Sequence, residues 1–151
     1  MYEQPETELL RLLAERAGIA AEYHDIAGTR HVTTDETRRA ILSAMGFRVA
    51  DRVALIEELS AWDNRPWLHA CEPVRVVRAG EDPGAWSLHV PCEETDDARL
   101  QVHWLIYDEN GDKRFDREEG PGLPVQEVRI IGGRRYVRLG LALPHDLQLG
   151  Y

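Results

Sequence analysis

The sequence predicts an α+β protein: a small N-terminal cap of about three helices, then an antiparallel β-sandwich of immunoglobulin-like type. Two observations predict it. Before Pro66 the apolar residues recur at helical spacing, and after it they alternate with period two. Gly-, Pro- and Asn-rich turn signals then punctuate the second part at intervals of one short strand. The implied division is a helical subdomain over residues 1–65 and a sandwich over 70–151.

The first helix is expected from about Pro5 to Arg16. Pro5 suits a first helical position, where its missing N–H is not needed. Leu9, Leu12, Leu13 and Ala17 share one face. Gly18 fits the position after the C-cap, where left-handed backbone costs glycine nothing. A second helix starts at Thr33 or Thr34. Thr33 and Glu36 have capping-box spacing. Ile41, Leu42 and Met45 form its expected buried stripe, and Gly46 ends it. A third helix is expected from Asp51 to about Trp62, with Leu55, Ile56, Leu59 and Trp62 on one face.

Asn64-Arg-Pro66-Trp67 breaks the helical pattern, and Trp67 is placed as glue between the two parts. Short runs with strand character follow. They are Val74 to Arg78; Trp86, Leu88 and Val90; Leu100, Val102, Trp104 and Ile106; Val125, Val128 and Ile130; and Tyr136 to Leu141. Asn110-Gly111 is a type I′ hairpin pair between alternating runs.

Composition narrows the function. The chain has 151 residues and a formal net charge of −9. A nucleic-acid or anionic-membrane partner needs a face dominated by Lys and Arg, so neither is expected. A (β/α)₈ barrel needs roughly 250 residues and does not fit. The acidic start has no apolar core and is not a signal peptide. No apolar run approaches the roughly 20 residues that span a bilayer. Cys71 and Cys92 do not make a disulfide framework. A cytoplasmic protein without cofactor is the expectation.

Four groups of residues carry possible chemistry. Asp108, Asn110, Asp112, Asp116 and Glu119 sit at the spacing of a calcium loop, with Phe115 at its hydrophobic position. Lys113 stands where that loop needs glycine, and the flanks read as strands, so a hairpin with solvated carboxylates is preferred. His69, Cys71, His89 and Cys92 have the residue types of a zinc site but not its tight Cys pairs; buried cysteine often packs as a small hydrophobe. His24-Asp25 and His31 have no nucleophile beside them. Glu57-Glu58, Glu93-Glu94 and Asp96-Asp97 are acidic pairs, but glycoside chemistry needs two carboxyls opposed across a sugar, about 5 Å or more apart. Among the aromatics, Trp86 and Trp104 share the register of apolar neighbours and read as core. Tyr107 falls out of register and faces outward. Trp62 and Tyr136 remain available to sugars, and no pair forms a clear platform. No catalytic, substrate-binding or metal-ligating residue is therefore assigned.

Two stretches carry a family resemblance. The first is Ile19-Ala-Ala-Glu-Tyr23-His-Asp-Ile-Ala-Gly28 with Val32-Thr-Thr-Asp-Glu36-Thr-Arg-Arg-Ala-Ile-Leu-Ser-Ala-Met45-Gly46. The second is Leu143-Pro144-His-Asp-Leu-Gln-Leu-Gly150-Tyr151. Together they resemble the N-terminal region of bacterial 4-alpha-glucanotransferases, the amylomaltase (MalQ-type) enzymes. The second resembles that family's Leu-Pro-x-x-Leu-Pro-x-Gly-Tyr-His element, cut after the tyrosine. The resemblance implies a non-catalytic accessory module, its sandwich truncated at the C-terminal end. It also implies a downstream catalytic barrel in the same parent chain, which moves 1,4-alpha-glucan segments in maltodextrin or glycogen metabolism. Alpha-glucan and a second copy of the chain are further possible partners. The alternatives are a stand-alone carbohydrate-binding sandwich and a protein-interaction module.

Overall fold

A computed structural model describes residues 2–78, 80–93 and 99–144. The chain divides into two compact units, Met1–Arg65 and Pro66–Tyr151. The first is helical with one small hairpin; the second is a β-sandwich of antiparallel strands.

In the first unit α1 spans Glu6–Arg16. Pro5 precedes it at the N-cap, and its carbonyl accepts from the N–H groups of Glu8 and Leu9 at 3.0 and 3.1 Å. Glu6 and Glu8 lie in the first turn and Arg16 in the last, each matched to the helix dipole. The helix ends in a Schellman motif: Gly18 donates to Glu15 and Ile19 donates to Ala14. Gly18 has φ +81°, the left-handed backbone that this motif requires.

Helix α2 spans Asp35–Ala44. Thr34 is its N-cap, and the hydroxyl oxygen accepts from the Thr37 N–H at 3.1 Å. Of the two predicted start positions, Thr34 is the one used. Gly46 and Phe47 close the helix by a second Schellman motif, donating to Ser43 and Leu42. Helix α3 spans Arg52–Asn64, capped by the Asp51 carboxylate on the Ala54 N–H at 2.9 Å.

The core of this unit is Leu9, Leu10, Leu13, Ala14, Leu42, Val49, Leu55 and Leu59. Phe47 and Trp62 stack beside it with ring centroids 5.9 Å apart. The predicted α2 stripe needs correction. Leu42 is fully buried, but Ile41 is 38% and Met45 52% exposed. The buried α2 side chains are Arg38 and Leu42, one helical turn apart. Arg38 is accommodated because its guanidinium donates to Asp35, at 2.7 Å, while Asp35 also takes Arg11.

Between α1 and α2 lies a short antiparallel hairpin. Strand β1 is Glu22–His24 and β2 is Arg30–Val32. All six strand residues are exposed.

A 3₁₀ turn, Arg65–Leu68, precedes the strands of the second unit. Strand β3 is Ala85–Pro91, β4 is Val102–Tyr107, β5 is Lys113–Glu119, β6 is Glu127–Ile131 and β7 is Arg134–Ala142. One sheet has the order β3-β7-β6, and β4-β5 form a second, two-stranded sheet. Directly opposed residues share a face. Val90 opposes Val137, Leu88 opposes Leu139 and Trp86 opposes Leu141, so the central strand β7 buries Val137, Leu139 and Leu141.

Two strand expectations fail. Val74 to Arg78 forms no strand, and Val76 is 91% exposed. β-branched residues favour a pleated surface only where a partner strand exists. In β6 the burial phase is reversed: Val128 and Ile130 are exposed, while Glu127, Arg129 and Ile131 are partly covered. β6 is an edge strand, so Val128 stays half exposed although it opposes the buried Val137, while Glu127 and Arg129 are engaged by Arg138 and Trp67.

Candidate functional site

The β1–β2 hairpin is built around one carboxylate. Asp25 accepts from the N–H groups of Ala27 and Thr29, both at 2.9 Å, through one oxygen. Its other oxygen meets His31 Nε2 at 2.9 Å. These hydrogen bonds, the His31 contact foremost, hold the Asp25 carboxyl below its ordinary value. Gly28, at φ +81°, turns the chain back. Thr33 ties the base: its N–H donates to the Ala21 carbonyl at 2.9 Å, and its hydroxyl donates to that of Ala20 at 2.7 Å.

Tyr23 opposes His31, so both rings lie on one face. Their centroids are 5.0 Å apart and their planes differ by 19°. The other face carries Arg30, whose guanidinium is bonded to the Glu22 carboxylate, with His24 and Val32. The pairing of Tyr23 with His31 was not visible in the sequence, where His24-Asp25 and His31 appeared only as isolated polar residues. The signal available was Tyr-x-Asp followed by glycine and histidine at hairpin spacing.

The second polar cluster surrounds Trp67. Its ring is buried, sits 4.7 Å from the His89 ring centroid, and lies beneath the Arg129 guanidinium at 4.7 Å. Glu127 takes Arg138 at 2.9 Å and Arg129 at 3.4 Å. Burial lowers the His89 pKa, opposed by a backbone hydrogen bond with His69. These ring contacts of Trp67 lie within the second unit.

The calcium-like segment is a hairpin between β4 and β5. Asp108 accepts from the N–H groups of Asn110 and Asp112 at 3.0 and 2.9 Å, and from Arg114 Nε at 2.7 Å. The Asp112 N–H is the largest cause of its lowered pKa. Asp116 is taken by Lys113 at 2.6 Å and His103 at 2.8 Å. Asn110-Gly111 does not form the predicted type I′ turn. That turn needs φ > 0 at both residues, and only Gly111, at +83°, has it.

The remaining candidates stay apart. The His89 N–H donates to the Ala70 carbonyl at 2.7 Å, which brings the two His/Cys segments together through backbone. Cys71 is exposed, and the Cys92 sulfur accepts from Arg135 at 3.3 Å. Among the described residues no group of three His, Cys, Asp or Glu side chains is placed to hold a metal. Glu57 and Glu58 both clasp Arg48, each at 2.9 Å. Glu94 to Asp97, and Gly150-Tyr151 with the truncated sandwich end expected there, lie outside the described residues. Trp86 and Trp104 are partly buried within their strands, and Tyr107 points outward as expected. No helix among the described residues is long and apolar enough to cross a membrane.

Comparison with known proteins decides the family. Residues 70–151, more than half the chain, match the family model described as the MalQ N-terminal beta sandwich domain. The chain belongs to this family. Among solved structures, the crystal structure of amylomaltase from Corynebacterium glutamicum matches with a TM-score of 0.69 and 24% sequence identity. The match covers 95% of this chain and 20% of that one, so this chain spans about a fifth of that relative's length. The likeness extends the shared fold across both units. No curated protein matches the sequence. The MalQ N-terminal sandwich here is the unit whose core is Val137, Leu139, Leu141 and Leu143 with Trp67.

Proposed function

We infer that this chain is the non-catalytic N-terminal accessory module of a cytoplasmic 4-alpha-glucanotransferase. Its parent would transfer 1,4-alpha-glucan segments between acceptors in maltodextrin or glycogen metabolism, with the catalytic barrel in the same polypeptide. The observation that carries this reading is the match of residues 70–151 to the MalQ N-terminal sandwich family. The shared fold with an amylomaltase over 95% of this chain supports it. The side chains are consistent with a supporting role. Glu57 and Glu58 are engaged by one arginine, and Asp108 and Asp116 by turn N–H groups and cations. Glycosyl transfer needs two carboxyls facing each other across a sugar.

The test has two arms. The purified 151-residue chain should release no glucose from maltotriose above a buffer control. Depleting a cell extract with an antibody against this chain should remove its glucose-releasing activity on maltotriose. Turnover by the isolated chain, or an undiminished activity in the depleted extract, overturns the reading.

A further inference from the structure

The β1–β2 hairpin is the least buried regular element in the first unit. A two-stranded hairpin is marginal in water by itself, yet here no strand residue is buried. Its order comes from hydrogen bonds: the Asp25 carboxylate spans the turn, and Thr33 pins the base to residues 20 and 21. The result is a fixed display of side chains without a covering layer.

What is displayed has a specific chemistry. Tyr23 is 57% exposed, with its ring packed beside His31 at nearly parallel planes. A tyrosine ring offers an apolar face and a polar tip, and it loses little entropy when held. His31 is oriented by Asp25, so one ring nitrogen is used internally and the other can address a ligand. An apolar ring face beside fixed polar groups matches a pyranose, which has an apolar C–H face and a rim of hydroxyls. Such sites gain from being organised before the ligand arrives.

We propose that the face of this hairpin bearing Tyr23 and His31 is a surface contact for a 1,4-alpha-glucan chain, with Tyr23 stacking on one glucose ring and His31 bonding a neighbouring hydroxyl. The choice of the alpha-1,4 linkage rests on the transferase reading above; the pyranose chemistry rests on the hairpin alone. Ile26, at the hairpin tip, is fully exposed. A second protein chain is the competing occupant, and the test separates the two.

The experiment titrates the 151-residue chain, labelled with ¹⁵N, with maltoheptaose to about 10 mM, because one exposed ring supports affinity only near the millimolar range. Saturable shifts are expected at the amides of residues 22–32. Cellohexaose should bind more weakly. Tyr23→Ala should reduce affinity about tenfold, the scale of one lost aromatic contact. Tyr23→Trp should retain binding, and Val32→Ser, on the opposite face, should leave it unchanged. An unchanged spectrum outside the hairpin in each variant confirms that the fold is intact.

Absence of saturable shifts, or shifts of equal size in Tyr23→Ala, overturns the proposal. So does concentration-dependent broadening of the hairpin without sugar that Ile26→Asp abolishes, which would assign the face to a second protein chain. Failure here with transferase activity intact in the native polypeptide refutes only this site. Maltoheptaose binding in a native protein that lacks transferase activity refutes only the parent function.

Discussion

Replacing Leu42 by alanine tests the packing of the helical unit. Leu42 is fully buried among Leu9, Leu10, Leu13, Leu55 and Leu59. The substitution removes three carbons, and at about 0.8 kcal/mol each the lost transfer energy is about 2.4 kcal/mol. The cavity adds to this, and Leu→Ala in such cores costs about 3–4 kcal/mol in all. A unit the size of Met1–Arg65 has a total stability of roughly 3–10 kcal/mol. Leu42→Ala should therefore lower the melting temperature by about 12 °C or more. Met45→Ala, at a half-exposed position on the same helix, should cost about 0.5–1 kcal/mol. Urea unfolding followed by circular dichroism at 222 nm reads this unit selectively, because the three α-helices among the described residues belong to it. Equal costs for the two substitutions, or less than about 1 kcal/mol for Leu42→Ala, would refute the assigned buried face.

Thr34→Ala removes the cap of α2 and should destabilise the same transition by about 1 kcal/mol, while Thr33→Ala should leave the cap intact; urea midpoints check both. The pKa of His89 is lowered by burial from its ordinary value of 6.5. Neutral His89 thus contributes stability that is present above pH 6.5 and is lost as pH falls toward the folded-state value. Thermal melts followed by tryptophan fluorescence, with Trp67, Trp86 and Trp104 in the second unit, should show this acid loss, and His89→Gln should flatten it. Calcium at about 1 mM should leave the melting temperature unchanged, whereas a real site would add about 2.7 kcal/mol at a hundredfold excess over Kd. The reason is that Asp108 and Asp116 already hold turn N–H groups, Arg114, Lys113 and His103.

The helices were legible because their ends are local chemistry. Gly18 and Gly46 mark Schellman motifs, and Thr34 and Asp51 mark caps, all within a few residues of the bonds they make. The β4–β5 hairpin was legible because Val102, Trp104 and Ile106 keep strict alternation and Asn110-Gly111 marks a turn after them. The β1–β2 hairpin was not, because three-residue strands with no buried side carry no alternation to read. Val74 to Arg78 misled because strand propensity says nothing about whether a partner exists. In β6 Val128 and Ile130 are exposed while Arg129 and Glu127 are held by Trp67 and Arg138, contacts set through space. The Tyr23–His31 stack is of the same kind. Its members are separated by a turn, and their contact exists only once Asp25 closes it.

The most direct test of the account is the intact mass of the native polypeptide that carries this sequence, captured with an antibody against residues 1–151 and assayed on maltotriose in the same preparation. The account predicts a chain several times heavier than 17.2 kDa that forms glucose and longer maltodextrins. A native polypeptide of 17.2 kDa without transferase activity would contradict it.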